Sequence, residues 1–261
     1  MNKARKFQSA NVIIISIAHM LHDIYSSFLA PLLPLLIEKL GLSYSLVGIL
    51  TIVQRIPSLL NPFIGLLADK MQLRYLIIIT PAVTAVGASL FGLAPSFFVL
   101  AVLLFIIGLS AALFHVPAPV MIMKVSGARV GRGMSYYMLG GEIARTVGPL
   151  IVLGAVSIWG LEGTYKLIPF GLAASVVLFF RLRKIRISED VKSTAMLTGV
   201  RKTLKNLIPF FIVLSGIVLF RALMKSALST FLPTYITVKG ESLWAGGIAL
   251  TILQFAGAAG T

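Results

Sequence analysis

The stretch that decides the fold is ISIAHMLHDIYSSFLAPLLPLLIEKL, residues 15–40. It is long and apolar enough to cross a bilayer, since a membrane-spanning helix needs about 20 predominantly apolar residues. It nevertheless carries three ionisable side chains, His19, His22 and Asp23. Helical spacings of three and four residues place all three on one face. Because a charge at the bilayer centre costs about 2.5–3.5 kcal/mol, we expect this face to point to the protein interior or a wet cavity.

The composition indicates an integral membrane protein. Hydrophobic residues make up 58% of the 261 residues and charged residues only 12%, whereas soluble domains carry about 25% charged residues. The net charge of +15 does not indicate nucleic-acid binding, because the basic residues lie between apolar runs and not on one basic face. The absence of cysteine from the sequence excludes disulfides and thiolate metal ligands.

The hydropathy pattern predicts an all-α fold with eight membrane-spanning helices, which we number spans 1 to 8. They cover residues 10–38, 43–68, 75–94, 97–123, 134–158, 163–182, 207–238 and 243–261. The runs are too long and too uniformly apolar for the strands of a membrane β-barrel. No small-residue cleavage site follows the basic N-terminus, so span 1 is predicted to stay uncleaved.

The distribution of Lys and Arg predicts the topology. With the N-terminus in the cytoplasm, sixteen basic residues fall in cytoplasmic segments and three in outer loops. The remaining four lie inside spans. Cytoplasmic loops of membrane proteins carry an excess of basic residues. We therefore expect a multi-pass protein of the inner (plasma) membrane with a cytoplasmic N-terminus and the lipid bilayer as its partner.

An internal repeat relates spans 1 and 2 to spans 7 and 8. Residues 32–37 (LLPLLI) and 231–236 (FLPTYI) are each followed by a glycine and a serine at matching positions, and residues 50–54 (LTIVQ) match 250–254 (LTILQ). Both copies start on the same side of the membrane, since six spans lie between them. This arrangement resembles the parallel duplication between the two halves of major facilitator transporters, which implies a site at the midplane between the halves.

The repeat also predicts the domain organisation. Residues 1–183 are expected to form an N-terminal six-helix bundle, residues 184–206 a basic cytoplasmic linker, and residues 207–261 the first two helices of an incomplete C-terminal bundle. By the repeat offset, Thr261 corresponds to Asn61, which still lies within span 2. We therefore expect the chain to be a fragment, with a genuine eight-span protein as the alternative.

Residues 65–75 (GLLADKMQLRY) resemble the loop signature G-x-L-A-D-[RK]-x-G-[RK]-[RK] between helices 2 and 3 of the major facilitator superfamily. The matching residues are Gly65, Leu67, Ala68, Asp69, Lys70 and Arg74. The departures are Gln72 in place of glycine and Leu73 in place of a basic residue. The resemblance implies a conformational gate formed by Gly65, Asp69, Lys70 and Arg74, since such an ion cluster holds one conformation shut and breaks in the other.

Further segments are similar to the fosmidomycin-resistance-like branch of that superfamily, mainly in the first half of the chain. They are His19 and Asp23 followed by 31–34 (PLLP), then 61–65 (NPFIG), 108–119 (GLSAALFHVPAP), 140–142 (GGE) and 148–150 (GPL). The resemblance implies the major facilitator fold and proton-coupled export of small, often anionic compounds, with the proton gradient as energy source and no cofactor. Glu142 departs from the neutral amide usual in the best-known members, so the antibiotic is not assumed to be the substrate.

The ionisable residues within the spans predict a site at the middle of the membrane. All three histidines and six further ionisable residues lie near the centres of their spans. We assign a proton relay to His19, His22, Asp23, Glu142 and His115. We assign substrate binding to Arg55, Arg145, Arg221 and Lys225, since arginine binds carboxylate or phosphate bidentately and does not release its proton.

Plainer interpretations of these residues remain open. The histidine and aspartate cluster is also compatible with a structural link between helices, although its depth favours a site, and Glu142 with Arg145 is equally compatible with an i,i+3 ion pair. His115 is compatible with a satisfied histidine beside the bend predicted at Pro117 and Pro119.

The function predicted from the sequence is proton-driven efflux of small organic anions or drugs by alternating access. Proton-coupled import of a small metabolite is the first alternative, and a non-transporting membrane sensor is the second. A membrane enzyme is disfavoured, because neither the HExxH nor the GxSxG motif occurs. We predict no metal and no nucleic-acid partner, and the sequence does not predict the oligomeric state.

Overall fold

The computed structural model describes residues 6–68, 73–183 and 197–259. These residues are helical, with short turns between the helices and no strand among them. Within these ranges, seven helical segments are long and apolar enough to cross a bilayer, and Leu243–Ala259 is a shorter apolar helix. The expected all-α membrane fold is confirmed.

The helices follow the predicted spans closely, with interruptions inside several of them. Span 1 consists of Ser9–Ser26 and Leu29–Leu40; span 2 of Tyr44–Arg55, a 3-10 turn Ile56–Leu60 and Asn61–Ala68; span 3 of Leu73–Ser89 and a 3-10 turn Phe91–Leu93; span 4 of Phe97–His115 and Pro117–Ser126; span 5 of Val130–Trp159; span 6 of a 3-10 turn Glu162–Leu167 and Ile168–Leu182; span 7 of Leu197–Val238; and span 8 of Leu243–Ala259. Span 7 therefore begins within the segment expected to be linker. Residues 184–196 lie outside the described part of the chain.

Proline explains the interruptions in spans 1 and 4, because it has no N–H to close a helical hydrogen bond. The bend expected in span 4 is confirmed, with the second helix starting at Pro117. Span 1 breaks at Ser27 and Phe28, which the continuous prediction 10–38 missed. Pro31 lies four residues after Ser27, so it leaves the Ser27 carbonyl without its helical donor.

The repeated glycine and serine build the same turn twice. Gly41 and Gly240 both adopt positive φ, at 61° and 93°, a conformation that glycine adopts without steric cost. Ser43 and Ser242 then begin the next helix, since each hydroxyl accepts a backbone N–H three residues on, at 3.3 and 3.1 Å. The internal repeat is thus a repeat of local structure as well as of sequence.

Small residues let span 5 pack closely against span 1. A Cβ at Gly140 would approach the backbone oxygen of Ser16, and one at Gly148 would overlap the side chain of Ser27. Glycine at such crossings allows two backbones to approach, as is common between membrane helices. The polar face of span 1 is thereby buried, whereas Ile13 and Ile17 on its other face are exposed.

We predict that Gly140→Ala destabilises the bundle, because the added methyl meets a backbone oxygen that does not move aside. Overpacking of this kind costs about 1–3 kcal/mol, which should appear as a lower thermal unfolding midpoint of the purified chain in detergent. Gly154→Ala is the matched control on the same helix, since no other group lies within 4 Å of the position that its added methyl would occupy. Equal stability of both variants would contradict the close crossing.

Candidate functional site

A cavity of about 530 Å³ lies between spans 1, 2, 4, 5, 7 and 8. Its size falls within the range of small-molecule sites. The ionisable side chains that line it are Asp23, Arg55, His115, Arg145 and Lys225. Five of the nine predicted site residues therefore share one cavity, and they come from spans 1, 2, 4, 5 and 7.

The carboxylate of Asp23 is the centre of the polar part of the site. Its Oδ1 lies 3.1 Å from His22 Nδ1 and 3.2 Å from His115 Nε2. Its Oδ2 lies 3.2 Å from His19 Nε2. All three histidines of the chain thus meet one buried carboxylate, as the helical spacing of the first two predicted. The structure adds His115 from span 4, which the sequence left open.

Each histidine is held from its other side as well. His19 Nδ1 lies 2.7 Å from the carbonyl oxygen of Tyr137, and His22 Nε2 lies 3.0 Å from Thr84 Oγ1. His115 Nδ1 lies 3.5 Å from the hydroxyl of Tyr137. Neither Thr84 nor Tyr137 was identified from the sequence, because a single polar residue in an apolar span carries no periodic signal.

Aromatic rings fix the planes of these histidines. The ring of His19 stacks on Tyr137 with 4.0 Å between centroids, and that of His22 stacks on Phe114 at 4.6 Å. Gly141 leaves room for the first stack, since a Cβ there would approach the His19 ring. The glycine pair in span 5 therefore positions the site as well as the helix.

Arg145 connects the carboxylate cluster to Glu142. Its Nη1 lies 3.9 Å from Asp23 Oδ2, and its Nη2 donates to Glu142 Oε1. Glu142 and Arg145 do form the i,i+3 ion pair that the sequence allowed. Arg145 lines the cavity and Glu142 does not, so Glu142 acts on the site through the arginine.

Equivalent residues of the two repeats line the same cavity. Gln54 and Gln254 both line it, as do Ser27 and Ser226. Arg55 Nη2 donates to Ser226 Oγ at 3.3 Å, which links span 2 to span 7. The glutamines were part of the repeated segments, so the repeat itself was the signal that could have identified them.

The remaining predicted residues are Arg221 and the four residues of the gate motif. Arg221 is exposed and is not among the residues that line the cavity, so its role in substrate binding stays a prediction. In the gate motif, Gly65 lies in span 2 and the Arg74 guanidinium lies 5.0 Å from the ring centroid of Tyr75. Asp69 and Lys70 lie outside the described residues, so the gate also stays a prediction.

Spans 7 and 8 pack against the first six spans near the turn that joins them. Trp244 Nε1 donates to Ser157 Oγ at 3.0 Å, and Gly247 packs against Leu153. Pro233 and Thr234 are buried nearby, whereas almost all side chains from 207 to 224 are exposed. The cavity is therefore closed at the end near this turn, whereas the described side chains of span 7 before it are mostly exposed.

Apolar helices long enough to cross a bilayer and packed around a charged cavity define a polytopic membrane protein. The family model of the Major Facilitator Superfamily matches residues 15–261. The chain belongs to the Major Facilitator Superfamily.

Two relatives have the same level of similarity to the chain. The "Fosmidomycin resistance protein" of Escherichia coli (strain K12) is 28% identical over 165 residues, which are 63% of this chain. The "Uncharacterized MFS-type transporter YfnC" of Bacillus subtilis (strain 168) is 28% identical over 170 residues, or 65% of this chain. Each match covers 41% of the relative's own length. The resemblance inferred from the motifs is confirmed.

We predict that a cysteine introduced at Ala222, which lines the cavity, is accessible from one side of the membrane only. The closed end near Trp244 should block a membrane-impermeant thiol reagent added from that side. The same reagent added from the side of the N-terminus should label it. The natural chain has no cysteine, so labelling reports the introduced residue alone. Equal labelling from both sides would contradict the closed end.

Proposed function

We propose that this protein is a proton-coupled exporter of small organic anions, which works by alternating access. The observation that carries this proposal is the shared cavity, in which a buried carboxylate bound by three histidines adjoins three cationic side chains. A protonatable cluster and an anion site in one cavity are the two parts that proton-coupled transport requires. Major facilitator transporters place such sites near the midplane between their halves.

The charges of the cavity favour an anionic substrate. With neutral histidines, the lining contains the cations Arg55, Arg145 and Lys225 and the single anion Asp23. A site of low dielectric with excess positive charge attracts carboxylate, phosphate or phosphonate groups, which arginine binds through paired hydrogen bonds. The Nε of Arg145 is also buried without a protein partner among the described residues, which leaves a donor for such a group.

The cluster around Asp23 supplies the proton-binding part. Histidine is the side chain that changes charge near neutral pH, and Asp23 lies within 3.2 Å of all three. A change of charge on this cluster alters the field at Arg145, whose Nη1 is 3.9 Å away. Glu142 participates through its ion pair with the same arginine. Proton binding and anion binding therefore act on a common residue.

Export is the direction we propose, from an inner membrane with the N-terminus in the cytoplasm. The excess of basic residues on that side supports the cytoplasmic N-terminus. The name of one relative, which is a resistance protein, supports export. Import by proton symport is the second candidate. It is favoured by the Asp23–Arg145 contact, because protonation of Asp23 would release Arg145 to hold an anion together with the proton.

The coupling role of Asp23 is tested by Asp23→Asn. We expect uptake driven by a pH gradient into inverted vesicles that contain the complete protein to fall to the level measured without a gradient. The assay uses a panel of radiolabelled small carboxylates and phosphonates. Exchange of the same compound without a gradient should persist, which serves as the control for folding. Gradient-driven uptake at the rate of the unmodified protein would contradict the proposal, and uptake only into right-side-out vesicles would favour import.

The anion site is tested by Arg55→Ala, compared with Arg221→Ala on the exposed face of span 7. Loss of a charge-assisted hydrogen bond costs about 1.5–3 kcal/mol, so Arg55→Ala should weaken the apparent affinity for the transported anion about 10- to 100-fold. Arg221→Ala should have a smaller effect, since Arg221 does not line the cavity. A larger loss of affinity in Arg221→Ala than in Arg55→Ala would instead place the anion site at Arg221, which the sequence also predicted to bind substrate.

A further inference from the structure

We propose that the Asp23 cluster holds two exchangeable protons, one shared with His19 and one shared with His22, and that fixed hydrogen bonds behind each histidine determine this number. The inference deepens the proposed proton coupling and rests on that function for its consequence in transport. The protonation pattern itself is a property of the resting protein. It follows from counting donors and acceptors, since two lone pairs that face each other at hydrogen-bond distance repel.

His19 is fixed by a backbone carbonyl. The oxygen of Tyr137, 2.7 Å from His19 Nδ1, can only accept a hydrogen bond. Nδ1 must therefore carry a hydrogen, and a neutral His19 has no hydrogen on Nε2. That nitrogen faces Asp23 Oδ2 at 3.2 Å. The contact is attractive only when a further proton lies between the two atoms, on the imidazole or on the carboxylate.

His22 is fixed by a chain of hydroxyl groups from spans 3 and 4. Ser110 donates its one hydrogen to the carbonyl oxygen of Thr80, at 2.9 Å. Thr84 lies 2.8 Å from Ser110 Oγ, so its hydroxyl must donate there. Thr84 Oγ1 then accepts from His22 Nε2 at 3.0 Å. A neutral His22 therefore has no hydrogen on Nδ1, which faces Asp23 Oδ1 at 3.1 Å, and a second proton is required.

His115 differs from both. The hydroxyl of Tyr137 faces its Nδ1 at 3.5 Å and is able to donate. A neutral His115 then carries its hydrogen on Nε2 and donates to Asp23 Oδ1 without any added proton. The His115 side chain is 40% exposed, against 5% for His19 and 0% for His22. It lines the cavity and is the histidine through which protons reach the buried pair.

Loss of one proton has a structural consequence. With a single shared proton, either the His19 or the His22 contact becomes repulsive, so the carboxylate must move away from that ring. Among the described residues that face it, Arg145 is the permanent cation, with Nη1 at 3.9 Å from Oδ2. Tyr137, Thr84 and Ser110 are the other polar groups packed around the cluster, and Glu142 faces Arg145. Deprotonation therefore moves the Asp23 carboxylate to Arg145 and occupies the arginine that the anion would use, so this arrangement favours the second candidate, proton symport, in which anion and protons bind together.

The proposal is tested by ¹⁵N NMR of the complete chain, labelled at histidine and held in lipid nanodiscs with EDTA to remove divalent ions. The chain contains three histidines, all in this site, and single His→Gln variants assign them. Each nitrogen reports whether it carries a hydrogen. When neutral, His19 should carry its hydrogen on Nδ1 and His22 on Nε2. A neutral His22 with its hydrogen on Nδ1, or a neutral His19 with its hydrogen on Nε2, would overturn the proposal.

Thr84→Val is the decisive variant, because it removes the acceptor behind His22. Neutral His22 should then move its hydrogen to Nδ1 and donate to Asp23, and the protons taken up by the cluster, measured by titration with a pH indicator, should fall from two to one. Thr80→Val is the matched control. It is the same change one turn away, and the Thr80 hydroxyl bonds to Leu76 of its own helix. Equal proton uptake by the two variants would overturn the proposal.

Experiments can contradict the proposed proton coupling without the two-proton assignment, and the assignment without the coupling. If the tautomers and the proton count are as stated but Asp23→Asn retains gradient-driven transport, the proposed coupling is wrong and the two-proton cluster stands. If transport depends on Asp23 but Thr84→Val leaves the count unchanged, coupling stands and the two-proton assignment is wrong.

Discussion

The interaction on which the rest of the structure depends is the satisfaction of one carboxylate in an apolar bundle. An uncompensated charge at this depth is strongly unfavourable, so Asp23 must be surrounded by donors. Three helices supply them: span 1 carries two histidines on the same face, span 4 turns His115 inward at its bend, and span 5 brings Arg145. The glycines at 140, 141 and 148 allow span 5 to approach closely enough for this to occur. The close packing of span 5 and the hydrogen bonding of Asp23 therefore depend on each other.

The sequence predicted the fold and the centre of the site, because both depend on strong periodic signals. Apolar runs fixed the spans, and spacings of three and four residues fixed the face shared by His19, His22 and Asp23. Thr84, Ser110 and Tyr137 could not be found in this way, since hydroxyl groups are common in membrane helices and only the tertiary packing reveals which one faces a histidine. The break in span 1 was missed because its cause, Pro31, lies several residues beyond it.

The pair Arg221 and Lys225 shows that helical spacing in the sequence does not predict which residues reach the cavity. Four residues on a helix share a face but differ by about 6 Å along its axis. Both side chains are exposed, yet this one turn separates Lys225, which lines the cavity, from Arg221, which does not. The internal repeat likewise does not predict where the charges of the cavity lie. Its serines and glutamines line the cavity from both halves, yet Asp23 corresponds to Ala222 and Ser26 to Lys225, so the ionisable residues of the cavity do not follow the repeat.

The length of span 7 allows a small tilt of the helix to produce a large displacement at its start. Its 42 residues extend about 63 Å as a helix, roughly twice the thickness of the hydrocarbon core. Span 7 is joined to span 2 by the hydrogen bond between Arg55 and Ser226, and its 29 residues before Ser226 extend about 44 Å beyond that contact. A tilt of about 10° at Ser226 would move the start of the helix through about 8 Å. Small rearrangements at this contact would therefore be amplified into large displacements on the side of the N-terminus.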